Sequence, residues 1–143
     1  MPCINKFKTK FTFDIDIATE TYQMTKISSS SQDIINIYRS QGAPSFQFSS
    51  DLRTMFNYEK ETLIVGDLNI CFANERTHLV LQDIEKLGFT QKVQYPTHRE
   101  GRQIDHVYIF SPDTAVKSNV GVFQQSPFFS DHDILFVTQV SKY

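Results

Sequence analysis

Three short polar clusters in this chain hold residue types that could hydrolyse a phosphate ester: Gly66-Asp67-Leu68-Asn69, Ile104-Asp105-His106 and Ser130-Asp131-His132-Asp133. Asp and Asn offer hard oxygen ligands of the kind Mg²⁺ or Mn²⁺ prefers. A histidine supplies a group that titrates, or stays positive, near neutral pH. A further Asp can fix the tautomer and orientation of that histidine. In such a set one group activates water, while a metal, His and Asn neutralise charge on the pentacovalent transition state. Each cluster also has a structural explanation. GDLN can be a turn after a strand, in which Asp and Asn satisfy local backbone groups. SDH can be a turn that caps a strand end. Asp105 stands in an apolar run, where a buried carboxylate costs several kcal/mol unless paired. Arg102 is its structural candidate partner.

Each cluster lies at the end of a predicted strand or within one, where sheets present reactive groups. Thr62 to Val65 (TLIV) reads as a buried strand running into GDLN, Gln103 to Phe110 as a strand holding Asp105, and Ile134 to Val140 as the strand after SDH. Upstream, Phe11 to Ile17 alternates apolar and polar residues, which predicts a strand with one buried face. Gln23 to Ile27 is a further strand, with Ser28 to Ser31 as the turn before Asp33 to Tyr38 (DIINIY), a more buried one. Val116 to Phe123 completes the set. A helix is expected from Ser49 or Ser50, which would cap it, with Leu52, Met55 and Phe56 on one face. A second helix is expected over Glu75 to Leu87, capped by Asn74 and stopped by Gly88. The pattern predicts a mixed sheet with antiparallel hairpins and helices packed on one face, in the α+β or α/β class.

With 143 residues, 40% of them hydrophobic, only 5 Gly and 5 Pro, and no internal repeat, the chain is expected to form a single domain over 1–143. No apolar run approaches the ~18–20 residues of a membrane span. Met1 to Lys10 has no apolar stretch of a secretory leader, and two cysteines, Cys3 and Cys71, are too few for a disulfide scaffold. An intracellular location, nuclear or cytoplasmic, is therefore expected. The net charge of −2 sets up no global basic field, although His98, Arg99 and Arg102 form a local basic group.

The order GDLN, IDHVY, SDHDI resembles the C-terminal part of the endonuclease/exonuclease/phosphatase (DNase I-like) superfamily, whose fold is a four-layer αββα sandwich. The resemblance runs from about Asp33 to Val140 and includes Asn36-Ile37-Tyr38-Arg39, similar to the superfamily's strand ending in a phosphate-contacting residue. The stretch from Tyr95 to His106 (YPTHREGRQIDH) is most similar to mobile-element endonucleases. The resemblance implies a metal-dependent phosphodiester hydrolase, with DNA the expected class of substrate and Mg²⁺ (or Mn²⁺) the metal. It implies that Asp67 orients or deprotonates the attacking water and that Asn69 and Tyr38 hydrogen-bond the phosphate. It further implies that Asp131, with Asp67, lies at the metal site, that His132 contacts the phosphate, and that Asp105 holds the His132 ring.

Two further signatures of the superfamily are not in this sequence: an early strand ending in Asn, and a strand ending in Gln-Glu whose Glu is the principal metal ligand. Glu20 lies in a polar stretch (ATETY), and Glu59 and Glu61 precede the GDLN strand. The chain thus reads as a partial domain, one sheet nearly complete and the other narrow. Weak metal binding, weakened catalysis and self-association through an exposed sheet edge follow as expectations. The alternatives are a non-catalytic remnant that binds nucleic acid or protein, and a small-molecule or lipid phosphoesterase of the same fold. Cys71 is expected to be a small buried hydrophobe, His78 a solvated helix residue and His106 structural, since it alternates with Asp105; Phe128 or Phe129 could stack on a base.

Overall fold

The computed structural model describes residues 10–112, 117–123 and 130–140. Cys3, Phe128 and Phe129 lie outside the described residues. In chain order the elements are β1 (Thr12–Ala18), β2 (Tyr22–Ser28), β3 (Gln32–Arg39), α1 (Ser45–Met55), β4 (Glu61–Asp67), α2 (Leu79–Lys86), β5 (Thr90–Gln91), β6 (Asp105–Phe110), β7 (Lys117–Phe123) and β8 (Ile134–Val140). Six strands form one sheet in the order β1-β2-β3-β4-β6-β5, and β7 pairs with β8 in a second. Only β3 and β4 run parallel, and α1 makes the crossover that such a pairing needs.

Period-two alternation sends the residues of β3, β4 and β6 to two different layers. On one face Tyr22, Met24, Ile35, Ile37, Ile64 and Tyr108 pack against Phe48, Leu52 and Met55 of α1 and Val80, Leu81 and Ile84 of α2. On the other, Leu63, Val107 and Ile109 meet Leu135 and Val137 of β8. At the start of β3 and β4, Gln139 hydrogen-bonds Gln32 and Glu61 and so ties the two sheets at one end. Among the described residues the result is a helix layer, a wide sheet and a narrow sheet, three layers of the expected four. The outward side of β8 is open, with Ile134 48% and Phe136 51% exposed.

Several sequence expectations need correction. The alternating face of β1 is not buried: Phe13 is 66% exposed and, within that strand, only Ile17 packs on the helical core. A register shift between Phe13 and Ile15 turns Phe13 to the opposite face, and β1 is the sheet's edge strand. Helix α1 starts at Ser45, not at Ser49 or Ser50. The Pro44 carbonyl accepts from Phe48 N, and Phe48 extends the apolar stripe of Leu52 and Met55 by one turn. Helix α2 starts at Leu79. Residues Cys71 to His78 form successive turns, and the cap is His78, whose Nδ1 accepts from Val80 N at 3.2 Å; it is neither Asn74 nor a solvated helix residue. Gly88 closes α2 as expected, at φ +100°. The two-residue strand β5 was too short to leave a period in the sequence.

Candidate active site

The site is built where three neighbouring strands of the wide sheet end together. Tyr38 of β3 is the register partner of Asp67 in β4, and Asp67 that of Asp105 in β6. All three belong to the alternation set that faces the second sheet, so they form a polar row at one rim beyond Leu63, Val65 and Val107. Tyr38 is exposed there.

Glycine at 66 is what lets β4 deliver Asp67. Its φ is +142°, and a Cβ would stand 1.8 Å from the Ile37 carbonyl oxygen. The chain then reverses through Asn69, at φ +52°. Asp67 Oδ1 accepts from Asn69 N at 2.8 Å, and the Asn69 amide donates to the Arg39 carbonyl at 2.7 Å. From beneath, the buried Arg39 guanidinium donates to the Leu68 and Ala43 carbonyls at 3.2 and 3.1 Å. Burial lowers the Arg39 pKa, and the charge of Glu75 opposes that shift.

His132 reaches the same rim from the segment before β8. Its Nδ1 lies 2.8 Å from Asp105 Oδ2, so the carboxylate orients the ring. Thr97 Oγ1 donates to the same carboxylate oxygen at 2.8 Å and accepts from Asp105 N at 3.2 Å. Arg102 pairs instead with Glu100, at 3.4 Å, so the structural partner considered for Asp105 is not the one it takes. His132 Nε2 faces Asp67 Oδ2 at 3.8 Å and Asp131 Oδ1 at 3.9 Å. Partial burial pulls the His132 pKa down, but the hydrogen bond and charge of Asp105, with Asp67 and Asp131, outweigh it and leave the pKa raised. Asp67 is also pushed up, first by burial and then by the Asp105 charge, against the Asn69 N–H and the two rings His132 and His98. Asp131 is held down, chiefly by its hydrogen bond from His98.

Asp67, Asn69, Asp105, Asp131 and His132 thus converge on one rim, with Tyr38 beside them. Glu20 lies in the exposed turn between β1 and β2. His106 points the other way, as its alternation with Asp105 implies. It is fully buried, Nε2 lies 2.8 Å from the Ile70 carbonyl, Nδ1 faces the Gln91 amide, and the ring stacks on Tyr108. Cys71 is buried as expected.

Sequence reasoning gave no site role to Arg39, Thr97 or His98. His98 was grouped with Arg99 and Arg102 as a local basic group, yet it is buried and its Nε2 lies 3.1 Å from Asp131 Oδ2. The main chain of this loop is joined to the SDH segment by Arg99 N to Asp131 O and Asp133 N to Thr97 O, both 2.7 Å. The available signal was a polar loop, THREGR, between two apolar stretches, which does not by itself say what it touches.

The donors fit a hard divalent cation. Asp67 uses Oδ1 within its turn and Asp131 uses Oδ2 on His98, and each turns its other oxygen toward His132 Nε2. Asp67 and Asp131 fall in different donor sets; one or two carboxylates, completed by water and a substrate phosphate, are a usual Mg²⁺ environment. Two sets of donor atoms close enough to share an ion occur among the described residues, Asp67/Asp105/His132 and His98/Asp131/His132. A cavity of about 350 Å³ runs from Asp105 and Asp133 between the sheets, past Asn36 and Leu135.

The chain matches no protein-family model and no curated protein by sequence. Its fold matches the endonuclease domain of TRAS1, a telomere-specific non-LTR retrotransposon, with a TM-score of 0.64 at 14% identity, over 94% of this chain and 69% of that one. CdtB, the biologically active subunit of cytolethal distending toxin, gives 0.63 at 12% identity, over 92% of this chain and 57% of the toxin subunit. The 3′-5′ exonuclease NExo from Neisseria meningitidis gives 0.60 at 20% identity, over 84% of this chain and 65% of the enzyme. Proteins described as endonuclease/exonuclease/phosphatase, from Beutenbergia cavernae and Leptotrichia buccalis, share the fold as well. The chain therefore has part of the DNase I-like fold, and it spans less than two thirds of most of these structures.

Proposed function

We propose that this chain is a metal-dependent phosphodiester hydrolase acting on DNA, with low activity by itself. The observation that carries the reading is His132, held by Asp105 at 2.8 Å and facing Asp67 and Asp131 at one sheet rim. In this reading Asp67 accepts a proton from water through Oδ2; its raised pKa brings it closer to the useful range for a base. His132 donates from Nε2 to a phosphate oxygen, and Asp105 keeps the ring aimed and favours its charged form. Asn69 and the Tyr38 hydroxyl donate to the remaining phosphate oxygens. A bound Mg²⁺ or Mn²⁺, held by Asp67 in one donor set or by Asp131 in the other, would supply Lewis-acid stabilisation of the developing charge. The DNA assignment draws on the endonuclease and exonuclease that share the fold, and on the similarity of the Thr97 to Asp105 stretch to mobile-element enzymes.

The superfamily's strand ending in Gln-Glu, whose Glu is the principal metal ligand, is not in this sequence, which favours weak metal binding and a low rate. It also supports a second reading, a non-catalytic domain that binds nucleic acid or protein. A plasmid-nicking assay with Mg²⁺ or Mn²⁺, beside Asp67→Ala, separates the two. Slow nicking that disappears in Asp67→Ala is the expected result. Nicking that persists unchanged in Asp67→Ala would remove this site as its source, and no nicking by the native chain would leave the non-catalytic reading.

A further inference from the structure

We infer that His98 is a positioning residue that aims Asp131 through a fixed Nε2–H, and is not itself a metal ligand; this rests on the metal-site reading above. Proximity alone suggests otherwise, because His98, Asp131 and His132 bring one donor atom each within 4.8 Å of one another. A set of two histidines and one carboxylate would favour Zn²⁺ over Mg²⁺. The hydrogen bonds of His98 decide against it. Its Nδ1 lies 3.2 Å from Glu100 N, a backbone group that can only donate. Nδ1 must therefore present its lone pair, and in a neutral ring the proton then sits on Nε2. A protonated nitrogen has no lone pair for a metal. It does have an N–H, and that N–H faces Asp131 Oδ2 at 3.1 Å.

The rest of the geometry suits a clamp. The His98 side chain is 8% exposed and that of Asp131 50%, so a packed ring restrains a carboxylate that solvent would otherwise leave free to rotate. The same loop grips the Asp131 main chain, through Arg99 N to Asp131 O. The His98 ring also stands edge-on to His132, with centroids 5.0 Å apart. With Oδ2 held, Asp131 has Oδ1 on the side of His132 Nε2. Loss of an outer partner of this kind costs roughly 10- to 100-fold in metal affinity.

Two measurements on the full chain test the inference. Long-range ¹H–¹⁵N NMR of the imidazoles near neutral pH should show His98 with its proton on Nε2 and Nδ1 as acceptor. A proton on Nδ1 overturns the inference. Mn²⁺ titration followed by EPR should then rank native chain, His98→Gln and His98→Leu. Gln keeps an N–H donor and should bind within about threefold of native, while Leu should lose roughly tenfold or more. If Gln binds as weakly as Leu, His98 is a ligand and the inference fails; circular dichroism checks that both variants fold. Should Leu not fold, native-like binding by Gln together with the tautomer supports the clamp, and weak binding by Gln rejects it. If the native chain binds no Mn²⁺, the metal reading falls, while the tautomer still decides how His98 meets Asp131.

Discussion

His106, buried on the helix side of the wide sheet, and His132, at the site rim, are driven in opposite directions. Burial pushes His106 down to about 4, against the Ile70 carbonyl and the Asp105 charge, whereas the carboxylates around His132 raise it. A depressed histidine favours the folded state where both forms are neutral, above its unfolded value of 6.5. As pH falls from 6.5 toward 4 the unfolded chain takes up the proton first, and this stabilisation, about 3 kcal/mol, is lost. Urea unfolding across that range should show the decline, and His106→Gln should flatten it. An unchanged slope in the variant would assign the acid sensitivity elsewhere. For the other histidine, Asp105→Asn keeps the shape of its partner but removes the charge. If the chain nicks DNA as proposed, this variant should be roughly 10- to 100-fold slower with little change in melting temperature. A native rate would show that His132 needs no orienting carboxylate.

Among the elements, the end of β4 is the most constrained. Gly66 lies against the Ile37 backbone, where neither chain has a side chain that can move aside. Gly66→Ala must therefore separate β3 from β4 or abandon φ +142°, and it should destabilise the chain by about 3 kcal/mol or more. Thermal unfolding beside Gly42→Ala, where an added Cβ meets no atom within 4 Å, makes the comparison direct. Equal melting temperatures would show that the close approach can relax. Helix starts proved hardest to place from sequence. Ser49 and Asn74 are good cap types, but Ser49 is buried inside α1 and Asn74 sits in a turn, because the apolar stripes begin at Phe48 and Val80. Capping preference amounts to roughly 1 kcal/mol, less than burying one large apolar side chain at about 1.5–3 kcal/mol.

At the scale of the whole molecule, the second sheet comprises β7 and β8 among the described residues, and a two-stranded sheet is marginal without further cover. Leu135 and Val137 give it one packed side, while Ile134 and Phe136 face outward. At the edge of the wide sheet, β1 exposes Phe13. These surfaces should make the chain self-associate. Light scattering should show mass rising with concentration, and Phe13→Lys combined with Ile134→Lys should suppress the rise. A concentration-independent monomer would show that the open faces are tolerated in water.

The strands β3, β4 and β6 were readable in the residues themselves, as short apolar runs bounded by polar or turn residues. Alternation put His106 on the face opposite Asp105, and the apolar run around Asp105 left that carboxylate in need of a partner; that Asp67 and Asp105 share a face came from the strand register. Which partner it took was a tertiary matter. Arg102 is three residues away in the chain, whereas His132 is 27 residues away and arrives only when the SDH segment bridges to the Thr97–His98 loop. Arg39, Thr97 and His98 were invisible as site residues for the same reason. Their hydrogen bonds to Leu68, Asp105 and Asp131 run between segments, and no local period records them. The exposure of β1 was equally beyond the sequence. Alternation states which side chains share a face, but only the packed layers decide whether anything covers that face.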